Sequence, residues 1–176
     1  VHPPSSVSSV SPASGPTTGG TPVLVSGSFF LHSEELSCQF GDSKPVLAKW
    51  LSNEAVQCPA PVAQHALLQQ LRVTNNLVHY TSNGGAATSF HYYAPEILQS
   101  AKPVSGSTSG GTVITIRGSG FLPSPSLSCL FGTDLAYTVP AAFASPEEVR
   151  CESPAHPAGS TSVKISNNGV TYGDST

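Results

Sequence analysis

The chain states one pattern twice, 91 residues apart. Gly19-Gly20-Thr21, Gly27-Ser28, Phe30-Leu31, Cys38 and Phe40-Gly41 return as Gly110-Gly111-Thr112, Gly118-Ser119, Phe121-Leu122, Cys129 and Phe131-Gly132. Further along, the offset is 93 for Val56-x-Cys58-x-x-Pro61 against Val149-x-Cys151-x-x-Pro154. It is 92 for Asn75-Asn76 and Tyr80 against Asn167-Asn168 and Tyr172, so the copies differ in loop length. A period of this size exceeds the roughly 20 to 50 residues of solenoid repeats and fits a small autonomous domain. The chain therefore divides into a Ser/Pro-rich leader or linker at residues 1–9, one module at 10–94 and a second at 95–176.

Each module is just large enough for its own small core. Charged residues make up 10% of the chain and the net charge is -3, which leaves no basic field to concentrate nucleic acid. Seven Lys and Arg spread along the chain supply no basic loop for contacting DNA. Sixteen Gly and sixteen Pro, with abundant Ser and Thr and no Met, suit short strands joined by turns rather than helices. The expected class is all-β. No stretch approaches the roughly 18 apolar residues of a membrane span, so direct membrane insertion is not expected in this segment. The opening VHPPSSVSSVSP lacks the layout of a signal peptide, and the chain reads as an interior piece or a processed product.

Cysteines fall two per copy, separated by 20 residues (Cys38, Cys58) and 22 residues (Cys129, Cys151). With no CxxC and no histidine at ligand spacing, zinc is not expected and no cofactor is implied. Two intradomain disulfides are the preferred reading; each would add about 3 kcal/mol on the chain-entropy estimate and would place the chain in an oxidising, extracellular or lumenal setting. Four buried free thiols in a cytosolic protein remain the alternative.

Period-two alternation agrees between the copies. Val23 and Val25 match Ile114 and Ile116 as inward positions; Leu36-x-Cys38-x-Phe40 matches Leu127-x-Cys129-x-Phe131, and Leu71-x-Val73 matches Val163-x-Ile165. The expected core thus contains Val23, Val25, Phe30, Phe40, Ile114, Ile116, Phe121 and Phe131, with Trp50 and Phe143 as the large residues packed beside the cysteines. Asn83-Gly84-Gly85 and Asn168-Gly169 have hairpin-turn chemistry. Ala63 to Gln70 contains good helix formers but no second apolar face, and reads as a loop with at most a helical turn.

Taken together, Gly19-Gly20-Thr21, Gly27-Ser28-Phe29-Phe30, Cys38-x-Phe40-Gly41, Val56-x-Cys58-x-x-Pro61 and Val73-Thr74-Asn75-Asn76 resemble the IPT/TIG immunoglobulin-like domain of plexins, Met-type receptors, fibrocystin-like proteins and many protist and bacterial surface proteins. The second copy is closer still, through Ser109-Gly110-Gly111-Thr112, Gly118-Ser119-Gly120-Phe121 and Ser166-Asn167-Asn168-Gly169-Val170-Thr171-Tyr172. The resemblance implies early-set β-sandwiches with Cys38–Cys58 and Cys129–Cys151 as disulfides. It does not imply one function. In the first copy thirteen residues follow Tyr80 before Ala94, and Ala86 to Tyr93 should form the closing strand, whereas four residues follow Tyr172. The second sandwich is therefore expected to lack its last strand, either because the chain is cut there or because a neighbouring chain donates the strand.

Catalytic patterns are absent from this reading. The six histidines do not recur at matched positions, Gly27-Ser28-Phe29 is not followed by a helix, and Gly110-Gly111-Thr112 opens a strand rather than a phosphate-binding helix. Glu34, Glu35 and Asp42 read as a solvated acidic patch in preference to a calcium site, since the second copy has no equivalent set. Ser5, Ser6, Ser124 and Ser126 stand in Pro-containing runs of the kind that accept O-glycans, and no N-x-S/T sequon occurs. The direct passage from Tyr92-Tyr93 through Ala94-Pro95-Glu96 into Ile97 predicts a stiff joint and an extended pair. These features point to a non-catalytic structural or adhesive segment of a long surface or filament glycoprotein, with other domains of the same chain, protein neighbours and glycans as partners. A ligand-binding segment of a receptor ectodomain is the second reading.

Overall fold

The computed structural model describes residues 4–82 and 85–173, in two compact units that divide after Ala94. The first unit contains β1 (Ser6–Ser11), β2 (Ser14–Pro16), β3 (Pro22–Ser28), β4 (Ser37–Phe40), β5 (Val46–Leu47), β6 (Lys49–Ser52), β7 (Ala55–Pro59), β8 (Leu68–Thr74) and β9 (Ser89–Tyr93). They form two sheets, ordered β1-β3-β7-β6 and β2-β9-β8-β4-β5. The pairings are antiparallel except that of β2 with β9, which is parallel.

Between the sheets lie Val10, Val23, Val25, Phe30, Leu36, Phe40, Val56, Leu71, Val73, Phe90 and Tyr92, all buried. Cys38 on β4 joins Cys58 on β7, a bridge from one sheet to the other with Cα atoms 6.2 Å apart. Strand β1 begins at Ser6, so half of the segment read as a leader is in fact the first edge strand, held in register by Ser6 opposite Ser28 and Val10 opposite Val25. Leu68 to Gln70, read as the end of a loop, opens β8 instead; its cross-strand partners His91, Phe90 and Ser89 supply the ladder that local helix propensity could not oppose. Of the Asn83-Gly84-Gly85 turn, Asn83 and Gly84 lie outside the described residues; Gly85 opens a short 3-10 turn, Gly85–Thr88, that leads into β9.

The second unit contains β10 (Ile97–Lys102), β11 (Val113–Ser119), β12 (Ser128–Phe131), β13 (Thr138–Ser145), β14 (Glu148–Glu152) and β15 (Val163–Ser166), ordered β10-β11-β14-β13-β12-β15. Strand β13 is long enough to pair with β12 through Thr138 to Pro140 and with β14 through Ala141 to Ser145. In the first unit the same path is split into β5 and β6 at Ala48. Ile116, Phe121, Leu127, Phe131, Val149 and Ile165 are buried around the Cys129–Cys151 bridge, whose Cα atoms are 6.4 Å apart. A register shift between Val7 and Ser9 in β1 recurs between Leu98 and Ser100 in β10, so the repeat extends to a β-bulge.

Glycine is required where backbone meets backbone. A Cβ on Gly27 would collide with the Ser6 carbonyl, and one on Gly118 with the Ile97 carbonyl, at the same crossing in each unit. Gly19 and Gly110 take φ values of 74° and 80°, and a side chain on either would press against the chain at Pro61 and Ala155 respectively.

Two aromatic expectations fail in the same way. Trp50 and Phe143 are each 37% exposed and do not belong to the core. Both lie opposite a buried valine, Val56 and Val149, and so face the inner side of their sheet. For Trp50 the reason is its place on β6, the last strand of its sheet, where nothing beyond covers the ring. Its indole N–H instead donates to the Phe30 carbonyl at 3.2 Å and its face stacks on His32.

Candidate interaction surface

The duplicated Asn-Asn pair builds the same corner in both units. Asn75 accepts a hydrogen bond from the Leu31 amide (3.0 Å) and donates to the Phe29 carbonyl (3.1 Å). Asn167 makes the matching pair with the Leu122 amide (2.9 Å) and the Gly120 carbonyl (2.8 Å). The second asparagine of each pair folds its own turn: Asn76 accepts from the amides of Val78 and His79, and Asn168 from those of Val170 and Thr171. The repeat displays these asparagines plainly, but their role as a clamp between two loops depends on partners more than 40 positions away.

The corners differ at two positions. In the second unit the left-handed backbone is taken by Gly120 (φ 79°) and Gly169 (φ 74°). In the first unit the same places hold Phe29 (φ 59°) and Leu77 (φ 57°). A residue with a Cβ in this region costs about 1 kcal/mol or more relative to glycine. Phe29 and Leu77 are both about half exposed, and Leu31, Val78 and the rim-lying Trp50 are exposed beside them.

Strand β9 is the other difference. Phe90 and Tyr92 on β9 pack edge-on against each other and against Phe40 in the first unit. Among the described residues of the second unit no strand pairs with the outer edge of β15. Ile114, expected in the core, is therefore only half-buried, where its counterpart Val23 is fully covered; Val163 compares with Leu71 in the same way. Both line a groove of about 840 Å³ together with Phe131 and His156.

The Tyr92 phenol is buried and donates to the Pro61 carbonyl at 3.0 Å, and burial pushes its pKa from 10.0 up to about 12. Below the unfolded value both states hold the proton and the contribution is complete. As pH rises from there towards the folded value only the folded state keeps it, so stability falls by about 1.4 kcal/mol per pH unit. Tyr92→Phe should remove that part of the alkaline slope, read from urea unfolding of both proteins at about pH 9 and about pH 11; parallel slopes would contradict it.

Of the candidate glycan acceptors, Ser6 and Ser126 are exposed, while Ser5 and Ser124 are half-buried. Ser6 Oγ lies 2.8 Å from Ser28 Oγ, and Ser124 Oγ accepts from the Ser126 amide. Among the described residues no three His, Cys, Asp or Glu side chains converge on a metal-sized point, and no helix is long and apolar enough to cross a membrane.

Comparison with known proteins agrees with this architecture. The IPT/TIG domain family matches residues 5–92 and again 97–176. The chain belongs to the IPT/TIG family. The IPT/TIG pair is similar to mouse (Mus musculus) fibrocystin-L, with 38% identity over 75 residues, 43% of this chain and 2% of that protein. Two structures of the plexin A4 extracellular region superpose on 94% of this chain, with TM-scores of 0.62 and 0.54 and identities of 18% and 17%. They share its fold. The chain covers only 15% and 17% of those two plexin chains.

Proposed function

We propose that this IPT/TIG pair is a non-catalytic extracellular module that serves as a stiff spacer in a long, multi-domain surface or filament glycoprotein. The observation that carries this reading is how little chain is left free between the two units. The Tyr93 carbonyl accepts from the Thr17 amide at 2.8 Å, and the buried Glu96 carboxylate accepts from the Asn167 amide at 2.6 Å. Each end of the joint is thus tied into its own unit, and only Ala94 and Pro95 remain, one of them with a fixed φ. Disulfides across both sandwiches and the likeness to an extracellular plexin region support an oxidising, extracellular location. O-glycans on the exposed Ser6 and Ser126 belong to the same reading.

Small-angle scattering tests the spacer. The radius of gyration should lie well above the about 16 Å expected of one compact body of this length, with two resolved maxima in the pair-distance distribution. A value near that of a compact body, or a broad distribution from freely tumbling units, would overturn it. The second reading, a ligand-binding segment of a receptor ectodomain, is favoured by the exposed apolar corner of the first unit.

A further inference from the structure

The first unit carries a large apolar residue at both left-handed positions of its Asn corner, where the second unit carries glycine. The same fold closes with glycine at both places, so the corner's geometry does not call for Phe29 or Leu77. Both side chains are exposed, on loops that the Asn75 side chain ties together. Leu31 and Val78 extend the patch, and Trp50 borders it through its bond to the Phe30 carbonyl. Backbone strain that holds apolar side chains about half exposed points outward.

The charged residues of the loop that carries Phe29 and Leu31 are acidic. Glu34 and Glu35 follow Leu31 in the same loop, both exposed, and Ser33 just before them donates to the Asn75 carbonyl at 2.9 Å. Lys49 adjoins Trp50 on β6, but alternation sends its side chain to the other face of the strand. Leu31, Leu77 and Val78 set three exposed branched aliphatic side chains beside the rings of Phe29, Trp50 and His32, which suits a protein surface better than a sugar. The acidic rim disfavours a second copy of the same patch, because a two-fold contact would set Glu34 and Glu35 against themselves.

We infer that the Phe29–Leu77 corner is a docking surface for a protein partner whose apolar centre is rimmed by lysine or arginine. The partner's side chains cover Phe29, Leu31, Leu77 and Val78, and its cations pair with Glu34 and Glu35.

Trp50 is the single tryptophan of the chain and stands at the edge of the patch, so its emission reports occupancy directly. The probe is an 18-residue amphipathic Leu/Lys peptide, with a Leu/Glu peptide of the same pattern as its counterpart. Titration of the full chain with the Leu/Lys peptide should give a saturable blue shift that weakens with salt. The Leu/Glu peptide should bind at least about tenfold more weakly, a difference of about 1.4 kcal/mol. Phe29→Gly with Leu77→Gly should reduce Leu/Lys binding at least about tenfold with no loss in thermal midpoint. Phe29→Asn with Leu77→Asn tests the same point with residues that tolerate the left-handed region. Glu34→Gln with Glu35→Gln should weaken binding and flatten its salt dependence. The inference fails if both peptides bind alike, or if either corner variant binds as the parent does. It fails also if the Trp50 shift appears with protein concentration alone, which would mean a second copy, or with an oligosaccharide such as laminarihexaose and not with the peptide.

Discussion

Replacing Cys38 and Cys58 together by alanine is expected to lower the stability of the first unit by about 3 kcal/mol and to leave the second unit's transition in place. The bridge closes a 20-residue loop, and both cysteines are fully buried between the sheets. It links β4 in one sheet to β7 in the other, so its loss frees the two layers to separate in the unfolded ensemble, besides removing sulfur contacts from the core. For a domain of this size the loss is a large part of a total that is seldom more than about 5 to 10 kcal/mol. Urea unfolding followed by Trp50 emission reads the first unit alone, since that is the chain's one tryptophan. Cys129→Ala with Cys151→Ala should leave the Trp50 transition unmoved. Four alkylatable thiols in the unfolded, unreduced chain would defeat the prediction and the oxidising location with it.

Phe90→Ala should destabilise the first unit by about 3 to 5 kcal/mol, comparable to the whole bridge. The ring is fully buried, its centroid 4.9 Å from that of Tyr92 and 5.4 Å from that of Phe40, and a Cβ on Gly15 would meet its edge at 2.8 Å. Alanine leaves a cavity where β9 seals one side of the sandwich, beside the Gly15 backbone of β2. Phe90→Leu, which keeps most of the volume, should cost about 1.5 kcal/mol or less. The same urea titration measures both; a loss under about 1 kcal/mol for alanine would mean that the ring does not close the core. The second unit, with no strand at this place among the described residues, shows what an unsealed side looks like: Ile114 and Val163 stay half-buried.

Much of the architecture was legible because it was written twice. One alternating run is ambiguous, but Val23 and Val25 against Ile114 and Ile116, or Leu36-x-Cys38-x-Phe40 against Leu127-x-Cys129-x-Phe131, show which face is constrained in both copies. Turn glycines were visible for the same reason. Two of the misreadings share a cause. Trp50 and Phe143 are large, apolar and matched, yet an inward-facing residue is covered only if a further strand or facing sheet lies over it, and alternation does not say where a sheet ends. Ser6 to Ser9 looked like linker because serine hides the pattern, while their cross-strand partners on β3 make them a strand. At the corner, the duplicated asparagines were visible and the exposed patch was not. Phe29 and Leu77 become informative only once their positive φ is known.

Sequence alone determined the number of modules, the all-β class, the family, the faces of the strands and the spacing of the cysteines, because these depend on local periodicity and on comparison of one copy with the other. Tertiary structure alone decided which inward residues are truly covered, which loops the asparagines clamp, and that Phe29 and Leu77 share a strained, exposed corner. Those outcomes depend on where sheets end and which distant loops meet, and such long-range contacts leave no periodic trace in the order of residues.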